Sequence, residues 1–374
     1  MDTLGDTIRV TTISGSVDTI NPTIIRDSIA RVWSSDDLSY PRGMGLLAGG
    51  RLVVLDADQI FVLSPEGRLL ATAGRRGEGP GEFRQPVAIS ILADTIFVYD
   101  EATRRLSAFL ADGRYATSWR IRPDSVFSSL DGSTLAVAGG VMYTVWTSMM
   151  HLASPVPTKA GVVAHALGSN TRNPIITLIG PTYRMVGEGY ATPKEAFGPR
   201  PVFAVSAERR VAWTDGQEFC VGTRLLPDSL RQVCRRWERV PMTSAALHPD
   251  LDTLPGLADL PAERRQVLST IVQSQEQGTV RNSIDGLLWD SHGRLWVRVI
   301  DSAQKDLPPL FANMNAALRP ARFRWDVFGQ DGRLIREVFL PGGFDLKLVA
   351  GGTAYGTVED EDGTPYVGKI VLGE

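Results

Sequence analysis

The sequence predicts an all-β chain folded as a six-bladed β-propeller, and three observations predict it. A short β-rich run recurs six times, turn residues flank each copy, and a second hairpin follows the clean copies. The copies are "RLVVLD" (51–56), "TIFVYD" (95–100), "TLAVAG" (134–139), "RVAWTD" (210–215), "RLWVRVID" (294–301) and "TAYGTVED" (353–360). A turn signal such as "AGG" or "DSHG" precedes each, and before that stands another apolar run such as "PVAISIL" or "FDLKLV". The second hairpins read "SPEGRLLATAG" (64–74), "LADGRYATSW" (110–119) and "GQDGRLIREVF" (329–339). Their glycines supply the positive φ that a tight hairpin needs before its outgoing strand.

In chain order, blade 1 is expected over about 43–74, blade 2 over 86–121, blade 3 over 126–180 and blade 4 over 202–238. Blade 5 follows over 284–340 and blade 6 over 344–372, the whole of 1–374 forming one domain. The last repeat supplies only three strands, while "DSIARVW" (27–33) lies ahead of blade 1 without a partner. That segment is therefore expected as the outer strand of blade 6, an N-to-C closure of the ring. "DTIRVTTI" is left as an added strand or a peripheral arm.

Between blades 4 and 5 the segment 239–283 is expected to be a helical insertion. Within it Leu260, Val267, Leu268, Ile271 and Val272 form an apolar stripe at helical spacing, with Asp259 and Pro261 suited to the helix start. Such a helix either serves as a lid or docking element or simply covers propeller edge.

Composition narrows the function classes. The 374 residues are 43% hydrophobic and 22% charged, as in ordinary soluble proteins. A net charge of −3, with scattered basic residues, argues against a nucleic-acid partner. No apolar run is long enough for a transmembrane segment, and a monomer is expected. "MDTLGDTIRV" has no basic segment followed by an apolar stretch, which leaves a cytoplasmic chain or one whose targeting segment has been removed. Cys220 and Cys234 flank a hairpin turning at Leu-Pro-Asp-Ser, where they stand opposed or one residue out of register. Opposed cysteines can form a disulfide, which would favour an extracytoplasmic location; two buried free thiols are the other reading.

The stretch "AGRRGEGPGEFRQP" (73–86) invites comparison with a phosphate cradle. It lacks the Lys and hydroxyl of a P-loop, and Glu82 stands where a dinucleotide loop needs its third Gly. The run Gly74 to Pro86 followed by an apolar strand instead resembles the blade junction of NHL-type six-bladed propellers, and "VGEGYATPKEAFGPRPVFAVS" (186–206) resembles a degenerate second copy. The match is close over residues 43–121. The resemblance implies a binding platform, although relatives of the same architecture include lactone hydrolases and a peptidylglycolate lyase with a metal in the central channel.

Meander topology then places a site. In a four-strand blade a-b-c-d the a-b and c-d turns lie on one face, and the b-c and d-a connections on the other. The long connections, 140–161, 181–201, 239–283 and 301–321, all fall on the second face, and connections this long are usually functional. The expected function is a non-enzymatic platform holding a protein or small-molecule ligand there. Its candidate contacts are Arg75, Arg76, Arg104, Tyr143, Trp146, His151, Arg184 and Arg200, although "GGVMYTVWTSMMHLASPVPTK" also reads as local core. The alternative is a propeller hydrolase or lyase using a divalent metal, calcium or zinc, at the channel mouth. No cofactor is otherwise expected. A zinc site would require His151, His165 and His248 to converge, since His292 falls on the short-turn face. A carboxylate site would use Asp56, Asp100, Asp215, Asp301 and Asp360 at the ends of b strands, where turn chemistry is the plainer reading.

Overall fold

The computed structural model describes residues 8–12, 23–24, 29–35, 38–39, 41–121, 134–148, 156–186, 190–195, 198–226, 230–235, 260–274, 276, 282–300 and 321–372. Three strands precede the first complete blade: β1 (Ile8–Thr12), β2 (Thr23–Ile24) and β3 (Ala30–Trp33). Blade 1 is β4 (Pro41–Leu46), β5 (Leu52–Asp56), β6 (Gln59–Leu63) and β7 (Leu69–Ala73). Blade 2 is β8 (Pro86–Leu92), β9 (Thr95–Asp100), β10 (Arg105–Leu110) and β11 (Tyr115–Arg120). Blade 3 is β12 (Leu135–Ala138), β13 (Val141–Thr147), β14 (Lys159–Ala166) and β15 (Arg172–Ile179).

A separate hairpin, β16 (Tyr183–Val186) with β17 (Tyr190–Pro193), comes next. Blade 4 is β18 (Val202–Val205), β19 (Arg210–Thr214), β20 (Cys220–Leu225) and β21 (Leu230–Arg235). After helix α1 (Ala262–Ser274), blade 5 is β22 (Ile284–Trp289), β23 (Leu295–Val299), β24 (Arg322–Phe328) and β25 (Leu334–Pro341). Blade 6 is β26 (Asp345–Ala350), β27 (Thr353–Glu359) and β28 (Pro365–Val371), completed by β3.

Closure occurs as the sequence predicts. β3 pairs antiparallel with β28, Val367 opposite Trp33 and Lys369 opposite Ala30, so N-terminal residues form the outer strand of the C-terminal blade. The two earlier segments add outer strands as well. β1 pairs parallel with β21 of blade 4, and β2 pairs parallel with β25 of blade 5. The chain thus enters the ring through the closing blade. Counted from that blade, α1 falls between the fifth and sixth rather than the fourth and fifth.

Blade 3 departs from the predicted register. "TLAVAG" is its innermost strand, β12, and the b strand is β13, which was expected to be part of a surface insertion. All four residues of β12 are buried, so by composition it reads like the b strands elsewhere.

The core is distributed over the six seams between blades. Blades 1 and 2 meet at Val53, Leu55, Phe83 and Phe109, and blades 4 and 5 at Val221, Val233, Val297 and Phe328. Blades 5 and 6 meet at Trp296, Trp325 and Phe344. Strands b and c are covered on both faces by neighbouring blades, so β5 and β6 are almost wholly buried. Outer strands face solvent, as in β7 and β11. Cys220 and Cys234 are directly opposed on β20 and β21, their Cα atoms 4.1 Å apart, and form a disulfide. Closing a loop of this size stabilises a fold by about 3 kcal/mol.

Candidate functional site

On the long-connection face the acids at the ends of b strands perform turn chemistry. Asp56 accepts from the Ser39 N–H (2.7 Å) and the Ser39 hydroxyl. Asp100, almost fully buried, accepts from the N–H groups of Arg84 (2.6 Å), Gln85 (2.9 Å) and Thr103 (2.8 Å) and from the Thr103 hydroxyl. In both blades the acid holds the chain that enters the innermost strand. Asp215 and Asp360 accept from N–H groups of their own turns, and Asp301 lies outside the described residues.

The junction 73–86 is built from its own side chains. Phe83 is completely buried at the seam of blades 1 and 2. Gly74 has φ +80°, and a Cβ there would strike the Phe83 ring and the Asp58 carbonyl, so only glycine fits. Glu82 accepts from the Gly79 N–H and from Arg75 Nε, each at 2.8 Å, and these donors hold its carboxyl below the ordinary range. Arg84 pairs with Glu78 at 2.8 Å. Arg75 is therefore engaged within the loop, while Arg76 and Arg104 stand exposed with no ion-pair partner among the described residues. Arg104 holds a positive φ of 53°.

Tyr143 and Trp146 are buried in β13 of blade 3. His151 lies outside the described residues. His165 is the penultimate residue of β14, about 20 Å along the strand from Lys159 at ~3.3 Å per residue. It sits toward the c-d turn, on the short-turn side; His248, like His151, lies outside the described residues. Among the described residues no three His, Cys, Asp or Glu side chains gather as a metal site.

Burial at that position lowers the imidazole pKa from 6.5 to about 4, with Arg172, its cross-strand partner, adding to the effect. The unfolded chain takes up a proton near pH 6.5 and the folded chain resists it, so the stability present above that pH is lost as pH falls toward 4. The loss should reach about 3 kcal/mol. Denaturant titrations at pH 7 and pH 4 on the wild type and His165→Gln should show it as a difference between the two curves; parallel curves would disprove the assignment.

The hairpin β16–β17 and helix α1 form the most elaborated described part of this face. α1 lies beside β16, with Leu268, Ile271 and Val272 of the predicted stripe buried and Leu260 and Val267 half-buried. Lys194 pairs with Glu276 at 3.3 Å, and the Glu276 N–H donates to the Lys194 carbonyl at 2.7 Å, fixing the end of the helix to the end of the hairpin. Tyr183 has its phenol pKa raised by burial, opposed by the nearby Arg200 cation. Arg184 stands directly opposite Thr192. Arg184 Nε and Nη2 and Thr192 Oγ1 are all shut off from solvent without a hydrogen-bond partner among the described residues. The stretch 186–206, which resembles a second blade junction, thus begins as the second half of this hairpin.

No family profile matches the chain, and no curated protein matches it. Solved structures do. A member of the DUF4221 family from Bacteroides vulgatus superposes with a TM-score of 0.53 at 9% identity, covering 91% of this chain and 97% of that one. Virginiamycin B lyase from Staphylococcus aureus superposes with a TM-score of 0.44 at 8% identity, covering 92% of this chain and 99% of that one. The first likeness shows the propeller fold alone.

Proposed function

We propose that this propeller is a non-enzymatic binding platform of NHL-like type, which holds a protein or small-molecule ligand on its long-connection face. The observation that carries the reading is the Arg184–Thr192 pair, whose buried donors have no partner within the described residues. Buried donors of this kind cost roughly 1–3 kcal/mol each when left unsatisfied, and a ligand that accepts from them recovers it. Arg76, Arg104 and Arg200 add exposed cations to the same face, which suits a ligand bearing acceptors or negative charge. The Cys220–Cys234 disulfide supports an extracytoplasmic setting.

The test has two arms. A thermal-shift screen of peptides, oligosaccharides and small organic acids should yield stabilising compounds whose effect is lost in Arg184→Ala. A panel of lactones and esters, assayed with added calcium or zinc, should show no turnover. Sustained turnover would replace this reading with a metal-dependent hydrolase or lyase; stabilisation that survives Arg184→Ala would remove the hairpin from the site.

A further inference from the structure

On the opposite, short-turn face a cavity of about 200 Å³ opens at the seam of blades 4 and 5. Its floor is apolar, built by Val233, Leu295 and Phe328, all nearly inaccessible to solvent. Its walls bring together Arg210 from the start of β19, Arg231 from the start of β21 and Trp289 from the end of β22. Among the described residues no carboxylate lines it.

Strand register aims these groups at one another. Thr223 stands opposite both Ala212 and Arg231, and Ala212 belongs to the core shared with blade 5. Arg210, two residues before Ala212, therefore points toward blade 5, as Arg231 does. The Arg210 guanidinium carbon lies 5.9 Å from the centre of the Trp289 ring, and its Nε is buried without a hydrogen-bond partner among the described residues. Trp289 Nε1 is likewise buried and has no partner among them. Arg231 spends one donor on the Gln330 carbonyl, at 2.5 Å. Two acids beside the blade 5 turns that border the cavity are already engaged: Asp290 by the His292 N–H, Arg294 and Trp296, and Asp331 by the Arg333 N–H.

We propose that this interblade cavity is a binding site for a small organic anion, a carboxylate or phosphoryl group attached to a flat apolar body. Two guanidiniums and an indole N–H supply donors in fork geometry, and the apolar floor with the Trp289 face receives the body. The volume lies below the roughly 300 Å³ at which drug-sized sites begin, so the ligand is a single-ring molecule. The site is independent of the long-connection face and holds whether or not that face binds anything.

Calorimetric titration at fixed ionic strength, with benzoate, phenyl phosphate and inorganic phosphate as probes and chloride as control, tests the proposal. At least one aromatic anion should bind with a Kd below about 1 mM, a free energy near −4 kcal/mol. Benzoate alone would mark a carboxylate site, phenyl phosphate alone a phosphoryl site, and both the shared anion chemistry. Arg231→Gln should weaken binding at least tenfold, and Trp289→Phe, which keeps a ring but removes the N–H, by a smaller factor. Arg184→Ala should leave it unchanged. The proposal is overturned if no probe binds the wild type, if inorganic phosphate binds as tightly as phenyl phosphate, or if both cavity variants bind like the wild type.

Discussion

A chain that begins at residue 34, and so lacks β1, β2 and β3, should lose about 5 kcal/mol of folding stability, a large part of the 5–15 kcal/mol a native protein possesses. Blade 6 would then present the whole edge of β28 unpaired. Trp33 and Val32, which pack against the seam of blades 6 and 1, would be gone; the Trp33 ring lies 4.8 Å from that of Phe61. Burial of one such side chain contributes about 1.5–3 kcal/mol. At about 2.1 cal/mol/K per residue the chain's unfolding entropy converts a 5 kcal/mol loss into a melting shift of roughly 6 °C. A narrower variant isolates the closing strand. Gly67 has φ +86°, and a Cβ there would collide with the Val32 carbonyl, so Gly67→Ala should strain the turn and push β3 away at once. Melting curves of the truncated chain and of Gly67→Ala superimposable on the wild type would show that β3 does not close the ring.

Why these strands were legible follows from where they lie. In a propeller the b and c strands are sandwiched between blades, so "RLVVLD" and "TIFVYD" read as unbroken apolar runs, and their acids recur because each holds the chain that enters the inner strand of its own blade. The same rule misleads in blade 3, where the inner strand β12 is as buried as any b strand. Once β12 took the b position, β13 had no place and its aromatic residues looked like an insertion. Cys220 and Cys234 were readable as a pair because a hairpin fixes register locally.

The sites were far less legible. Arg184 and Arg200 appeared as candidates only because they fall in a long connection, and nothing local announced that Arg184 would stand across a hairpin from Thr192. The anion cavity is drawn from residues 210–233 and 289–332, which meet only when two blades pack. No spacing rule joins residues that far apart in sequence. The signal that was present is weak: Arg210, Arg224 and Arg231 all sit beside turns of the short-turn face, where a hairpin tip tolerates any charge.

The same blade seam carries the second large effect, at its other end. Asp326, with no solvent exposure, accepts from Arg235 Nη1 at 2.5 Å and Arg324 Nε at 2.9 Å. Glu337, directly opposite it across β24 and β25, accepts from Arg235 Nη2 at 2.8 Å and Arg324 Nη2 at 2.5 Å. Two carboxylates and two guanidiniums join in one square-shaped network across the seam. Arg235 belongs to blade 4, next to the disulfide, and the other three to blade 5. Asp326→Ala should cost about 3–5 kcal/mol, because it removes the fully buried carboxylate that accepts from both guanidiniums. Glu337→Ala, at the wetter edge of the square, should cost less, about 1–3 kcal/mol. The loss in Asp326→Ala belongs to stranded charge rather than to an intrinsic strength of the pairs. A quadruple variant that replaces all four residues by apolar ones of similar volume should therefore recover most of it. Urea titrations of these three variants decide the point: a quadruple variant no more stable than Asp326→Ala would mean that the square itself, not the avoidance of unpaired charge, holds blade 4 to blade 5.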